Sequence, residues 1–160
     1  APGQTDHHGH GGQSDRERTT WMVTNASGLN PYFKNDQPGI VDILPTIARF
    51  MKIPVPLDAS RELDGVPLTG KISLSRPGAT LDNGTLKLTW KAHEKKGNVK
   101  IWVTTTNNFK TGGRDTYKLI GQAPLQQQHA EVSVKDLPSG FYKVVLEGPD
   151  NMVNRWVGKQ

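Results

Sequence analysis

The alternation of apolar and polar positions divides the chain into two textures. From residue 71 onward, short runs alternate with a period of two, the mark of strands with one buried face. Thr85–Lys91 sets Leu86, Leu88 and Trp90 on one face, and Asn98–Thr104 sets Val99, Ile101 and Val103 inward with Trp102 outward. Glu94-Lys95-Lys96-Gly97 between them reads as a hairpin-like turn. Further strands are predicted at Lys71–Ser75, Tyr117–Ile120, Ala130–Val134, Phe141–Leu146 and Val153–Val157. Turns carrying Gly, Pro, Asn or Asp separate nearly all of them. About seven short strands in this stretch is the count of an immunoglobulin-like sandwich.

The first 70 residues read differently. Thr20-Trp21-Met22-Val23-Thr24 is a β-type run, apolar in its middle and continuous enough for a strand buried on both faces. Asn25–Pro31 is turn material. Within Ile40–Met51, apolar side chains at 40, 43, 44, 47, 48 and 51 follow the spacing of an amphipathic helix. Asp42 is placed to cap it, Pro45 falls in the first turn, and Ile53-Pro54-Val55-Pro56 ends it. Leu63-Asp64-Gly65-Val66-Pro67-Leu68 is a turn with an apolar anchor on each side.

Composition narrows the classes. The 160 residues include 17 Gly and 11 Pro, a turn-rich content that favours β structure, and no Cys, which removes disulfides and thiolate metal sites. No apolar run reaches the roughly 18 residues of a membrane span. Residues 1–70 carry six basic and eight acidic side chains, and residues 71–160 carry fourteen and seven. The basic excess is scattered over strands and turns without interleaved aromatic clusters. It reads as a solvated surface, not a nucleic-acid site.

The candidate chemistry sits near the amino terminus, in Thr5-Asp6-His7-His8-Gly9-His10-Gly11-Gly12-Gln13. One carboxylate and three imidazoles are ligands that suit a zinc-like ion, and the glycines allow close backbone approach. A His-rich leader has the same composition. His93 and His129 stand alone and read as surface residues.

Taken in order, Asp6-His7, Gly9-His10-Gly11-Gly12, the 20–24 run, the Val-Asp-Ile-Leu-Pro-Thr helix and Asp64-Gly65-Val66-Pro67-Leu68 resemble the carboxy-terminal part of the alkaline phosphatase superfamily. The nearest branches are the type I phosphodiesterase/nucleotide pyrophosphatase-like and sulfatase-like members. The resemblance covers roughly residues 5–70. It implies an α/β hydrolase core with two adjacent zinc ions, acting on phosphate or sulfate esters in the periplasm or outside the cell. It also implies that Asp6 and His7 bind one metal and His10 the other. Only five residues precede Asp6, so the nucleophile segment and the earlier ligands are not in this stretch. The chain alone is therefore expected to be an inactive carboxy-terminal fragment or one piece of a split protein. Its helix at 42–51 then needs a second domain, a partner chain or a dimer to cover it.

Leu137-Pro138-Ser139-Gly140-Phe141-Tyr142 resembles the turn into a late strand of fibronectin type III-like domains. That resemblance implies that Tyr142 forms a tyrosine corner and Trp90 the central core aromatic. The expected organisation is thus an α+β remnant of a hydrolase core at 1–70 and an all-β immunoglobulin-like (fibronectin type III-like) accessory sandwich at 71–160. Two alternatives stay open. One is a non-catalytic β-sandwich module for glycan or protein contact, with Trp102 available to stack on a sugar ring or to pack against residues 1–70. The other is adventitious metal capture by a His-rich tail.

Overall fold

The structure, a computed structural model, describes residues 21–158. Seven strands form two antiparallel sheets. One has the order β1 (Leu74–Asp82), β2 (Thr85–Ala92), β5 (His129–Ser133). The other has the order β4 (Lys118–Pro124), β3 (Asn98–Thr104), β6 (Phe141–Glu147), β7 (Met152–Gly158). Ahead of them come α1 (Pro31–Asn35), a 3-10 turn (Ile40–Asp42) leading into α2 (Ile43–Phe50), and α3 (Leu57–Ser60).

The period-two pattern is realised where it was strongest. Leu86, Leu88 and Trp90 of β2 face Val99, Ile101 and Val103 of β3 and Tyr142, Val144 and Leu146 of β6 within one buried cluster. Burying such side chains contributes about 1.5–3 kcal/mol each, which makes this cluster the main source of stability. Trp90 sits in the core, where its indole Nε1 donates to the Leu125 carbonyl at 2.8 Å. The Tyr142 hydroxyl donates to the Leu137 carbonyl at 2.7 Å and closes the corner before β6.

Several expectations need correction. The first strand begins at Leu74 and runs to Asp82, so Lys71–Ser75 catches only its start. A register shift between Ser75 and Gly78, with Arg76 at φ +53°, bends it. Glu94–Gly97 is not a hairpin turn: β2 and β3 belong to different sheets, and these residues cross between them. Alternation identifies a strand's inward face but not which sheet it joins. The run at 20–24 forms no strand over residues 21–24, and Trp21 and Val23 are solvent-exposed. Its β-type side chains find no ladder to join among the described residues. Over residues 21–70 the described chain holds helices, turns and one isolated bridge, Leu29 to Thr69, and no strand. The hydrolase-core remnant expected there is not visible as a layer.

The segment before the sheets is nonetheless part of the packed body. Tyr32, Val66, Leu68 and Ile72 join the cluster formed by the two sheets. Gly65 is required on the way: a methyl group there would overlap the Val41 carbonyl.

Candidate functional site

Asp6, His7 and His10 lie outside the described residues. Among the described residues, no three His, Cys, Asp or Glu side chains gather as a metal site would require. The feature that carries information is α2 and the way it is held.

The local sequence explains the helix. Asp42 stands at the N-cap position of α2 but its side chain makes no cap bond there; Oδ2 instead accepts from the Gly39 amide at 2.7 Å and closes the preceding 3-10 turn, while Pro45 falls where its missing N–H is harmless. The same carboxylate accepts from the Val66 amide at 2.5 Å through Oδ1, and the Tyr32 hydroxyl approaches it at 3.5 Å. Burial, reinforced by the neighbouring Asp42 and Asp36 charges, pushes the Tyr32 phenol up to about 12. One turn on, Thr46 Oγ1 accepts from the Leu68 amide at 2.9 Å and donates to the Asp42 carbonyl. A further turn on, Arg49 donates to three carbonyls: Thr69 at 3.1 Å, Lys71 at 2.5 Å and Asp150 at 2.8 Å. Burial lowers its basicity from the ordinary arginine value, against a smaller opposing pull from Asp150.

Positions 42, 45, 46 and 49 lie on one face of the helix, three or four residues apart. This face, with Ala48 beside it, is the docked one. The opposite face carries the apolar stripe, and no described residue covers it. Ile40 is 74% exposed, Leu44 59%, Ile47 48%, Phe50 67% and Met51 61%. The helix is amphipathic as its spacing predicts, but it docks through buried Pro45 and Ala48 together with the polar Asp42, Thr46 and Arg49, and leaves most of its apolar stripe outward. Ile53 and Leu57, each 52% exposed, extend the apolar surface. On the docked side a cleft of about 430 Å³ lies between α2 and the β6–β7 turn, with Pro45, Arg49, Leu63, Pro149 and Met152 among its walls.

Residues 61–63 lie on the outer face of the four-stranded sheet. Register aligns Trp102, Val145 and Asn154 in one row across β3, β6 and β7, and Thr104, Lys143 and Trp156 in the next. These positions point away from the core, yet Val145, Asn154, Thr104 and Lys143 are buried. Asn154 Nδ2 donates to the carbonyls of Arg61 at 3.2 Å and Leu63 at 3.0 Å. Lys143 pairs with Glu62, whose other oxygen accepts from the Tyr117 hydroxyl at 2.7 Å. Burial, the bond to Glu62 and its charge raise the Tyr117 phenol well above its usual range. The Arg61 guanidinium stacks 4.5 Å from the Trp102 ring centre and 5.1 Å from that of Tyr117. Of the two roles open to Trp102, the structure realises packing against the first half of the chain. Its Nε1 is engaged by Glu147 at 2.7 Å. Arg61 covers one ring face, so Trp102 is not a free platform for a sugar.

A second polar group joins α1 to the other sheet. The side chain of Asp36 is almost wholly buried and pairs with Lys91 and Arg76, at 2.9 and 2.7 Å. Burial works against its charge, but the Lys91 bond and the two cations outweigh that and hold the carboxyl below its ordinary value. His93 is not the surface residue the sequence suggests. It is half-buried, bonded to Ser75 Oγ at 2.7 Å and edge-on to Tyr32. Burial, aided by Lys91, depresses its basicity. Ser75 has no solvent access, so the Ser–His contact is structural and not a nucleophile with its base. His129 is exposed, as expected.

The Asp42–Val66 and Arg49 contacts are not readable from spacing. The nearest sequence sign is Gly65 in Asp64-Gly65-Val66-Pro67-Leu68, a glycine where two backbones meet. Comparison with known proteins adds no relative: no family model, no curated protein and no solved structure matches this chain.

Proposed function

We propose that this chain is the carboxy-terminal part of a metal-dependent phosphoric or sulfuric ester hydrolase of the alkaline phosphatase superfamily, joined to a fibronectin type III-like sandwich. One observation carries the reading. A firmly seated helix turns an unbroken apolar stripe to solvent, while the β-type run at 21–24 stays unpaired. A helix of that kind is the part of a layer that covers a sheet, and an unpaired β-type run is free to add to one. On this reading the sheet belongs to the catalytic core.

Asp6, His7 and His10 would supply part of the ligand set of two zinc ions, carboxylate and imidazole being donor types that suit zinc, with the remaining ligands coming from elsewhere in the catalytic core. Bound zinc supplies charge neutralisation of a phosphoryl or sulfuryl group and activation of a nucleophile. Asp6 and His7 would bind one ion and His10 the other. The periplasm or the cell exterior is the compartment that fits this class.

The test is hydrolysis of aryl phosphate, bis-aryl phosphate and aryl sulfate by the longest natural polypeptide that contains this sequence. The expected result is zinc-dependent cleavage of at least one ester, abolished with loss of bound zinc in His10→Ala. An absence of both bound zinc and ester cleavage overturns the reading.

A second reading, a non-catalytic sandwich module, is favoured by the sandwich itself. The strand order β1-β2-β5 against β4-β3-β6-β7 and the Tyr142 corner fit a fibronectin type III-like module. With Trp102 engaged, protein contact suits that reading better than glycan contact. Stable binding to a protein without any zinc dependence would favour it.

A further inference from the structure

We propose that Arg61 is an anion-binding site, a guanidinium held against two aromatic rings with its end open to a bidentate oxyanion. The site lies on the outer face of the four-stranded sheet, and the proposal is independent of the chemistry assigned to the amino-terminal stretch.

A guanidinium carries five N–H donors in one plane, and an arginine withdrawn from water ordinarily spends them on carbonyls or carboxylates. Arg49 donates to three carbonyls, and Arg76 and Arg114 each meet a carboxylate. Arg61 is less exposed than Arg76 or Arg114, yet its guanidinium donates to no described residue. Its Nε is enclosed and has no hydrogen-bond partner, whereas Nη1 and Nη2 keep contact with solvent. An unmet buried donor is costly, and aromatic faces offset that cost here: the Trp102 ring lies 4.5 Å from the guanidinium carbon and the Tyr117 ring 5.1 Å. Such contacts hold the group but leave its N–H edges uncommitted.

The carboxylates nearby do not supply the missing acceptor. Glu62 is paired with Lys143 and accepts from the Tyr117 hydroxyl. Asp58 is paired with Arg114, and Glu147 with Lys100 and the Trp102 indole. Asp115 accepts from the Thr106 hydroxyl and from the amides of Asn108 and Phe109. Lys143, Arg114 and Lys100 thus each have a carboxylate, and among the described residues Arg61 has none.

An oxyanion from outside completes the set. Two oxygens of a carboxylate, phosphate or sulfate accept from Nη1 and Nη2 in parallel, in the plane that the rings leave open. The stem is already fixed: the Arg61 carbonyl accepts from Asn154 Nδ2 at 3.2 Å, and its amide donates to the Leu57 carbonyl at 3.1 Å. Little side-chain freedom is therefore left to lose on binding.

Side-chain NMR of the whole chain, titrated with acetate, phosphate and sulfate at constant ionic strength, tests the proposal. The Arg61 guanidinium and Trp102 indole signals should shift and saturate at millimolar concentration with at least one of the three, and the anion that saturates first names the group the site takes. Arg61→Lys keeps the charge but not the fork and, followed at the Trp102 indole, should weaken that binding by about tenfold or more. Lys135→Gln, an exposed charge beyond the other sheet, should leave it unchanged. Shifts that never saturate with any of the three anions overturn the proposal, and the wild-type titration decides this alone should Arg61→Lys fail to fold. Binding by Arg61→Lys as tight as by the wild type also overturns it. So does an equal weakening in Lys135→Gln, which would mean a response to overall charge.

Discussion

The Asp42 carboxylate accepts the Val66 amide at 2.5 Å, joining residues 24 positions apart, and with its other oxygen it accepts the Gly39 amide. One buried side chain thus fixes both the 3-10 turn that leads into α2 and the path of the segment that enters the sandwich core. Asp42→Ala leaves two amides without their acceptor and should cost about 2–4 kcal/mol. Urea denaturation followed by tryptophan fluorescence checks this. Asp42→Asn, which keeps the shape and one acceptor oxygen, should recover part of the loss.

Gly65 shares that junction. Adding one methyl overlaps the Val41 carbonyl, and backbone on both sides leaves nowhere for it to go. Gly65→Ala should destabilise by more than about 1 kcal/mol, a cost of overpacking. Gly112→Ala tests a different cost: it has open space around it but a φ of +81°, so only conformational strain is added. Thermal melts of the two variants separate overlap from strain.

Lys143 and Glu62 are paired with 3% and 10% of their side chains exposed. Glu62→Ala strands a buried ammonium and should cost about 3–5 kcal/mol, whereas Glu62→Leu combined with Lys143→Met should cost much less. A double-mutant cycle by chemical denaturation measures the difference. Equal losses in the single and double variants would mean that the pair is not the source of the stability at this site.

Ile47→Asp, on the stripe, should change the stability of this chain by no more than about 0.5 kcal/mol, as an exposed position does. Leu88→Ala, 1% exposed in the sandwich core, should cost about 2–5 kcal/mol. Parallel denaturant titrations check the contrast. A large loss in Ile47→Asp would mean that the stripe is covered.

Stability should also depend on pH at both ends. His93 has its folded value depressed by burial, so the unfolded chain binds the proton more readily. Stability is complete above 6.5 and declines as pH falls below it. Asp36, also depressed, adds a further loss as pH falls below 3.8. Tyr32, raised to about 12, contributes stability that is present below 10.0 and lost as pH rises through its folded value. Melting temperatures across pH check the first effect, and His93→Gln should flatten the decline between pH 7 and 5. Phenolate absorbance during alkaline titration checks the last.

What could be read in advance follows from how local each cause is. Leu86, Leu88, Trp90, Val99, Ile101 and Tyr142 announce their burial through spacing of two and through a turn of recognisable composition. The helix at 43–50 announces itself through spacing of three and four. Its orientation does not, because it depends on Asp42, Thr46 and Arg49 reaching groups 20 to 101 residues away. The run at 21–24 has strand-forming side chains, but a strand exists only with a neighbour to pair with. His93 reads as solitary because Ser75 meets it only when β1 and β2 align, and Tyr32 only when α1 packs beside them. The metal ligands expected at Asp6, His7 and His10 remain a reading of residue type and order.

The outward row of the four-stranded sheet has a bearing on evolution. Trp102, Lys143 and Asn154 are committed to clasping the backbone and side chains at 61–63. Drift at these three positions is therefore coupled to drift in a segment roughly 40 to 90 residues earlier. A sandwich of this kind cannot be exchanged for a homologous one as a cassette unless the clasped residues travel with it. Because Tyr32, Asp36 and Arg49 are also joined to the sandwich, natural chimaeras should recombine upstream of Leu29 rather than at the start of the first strand.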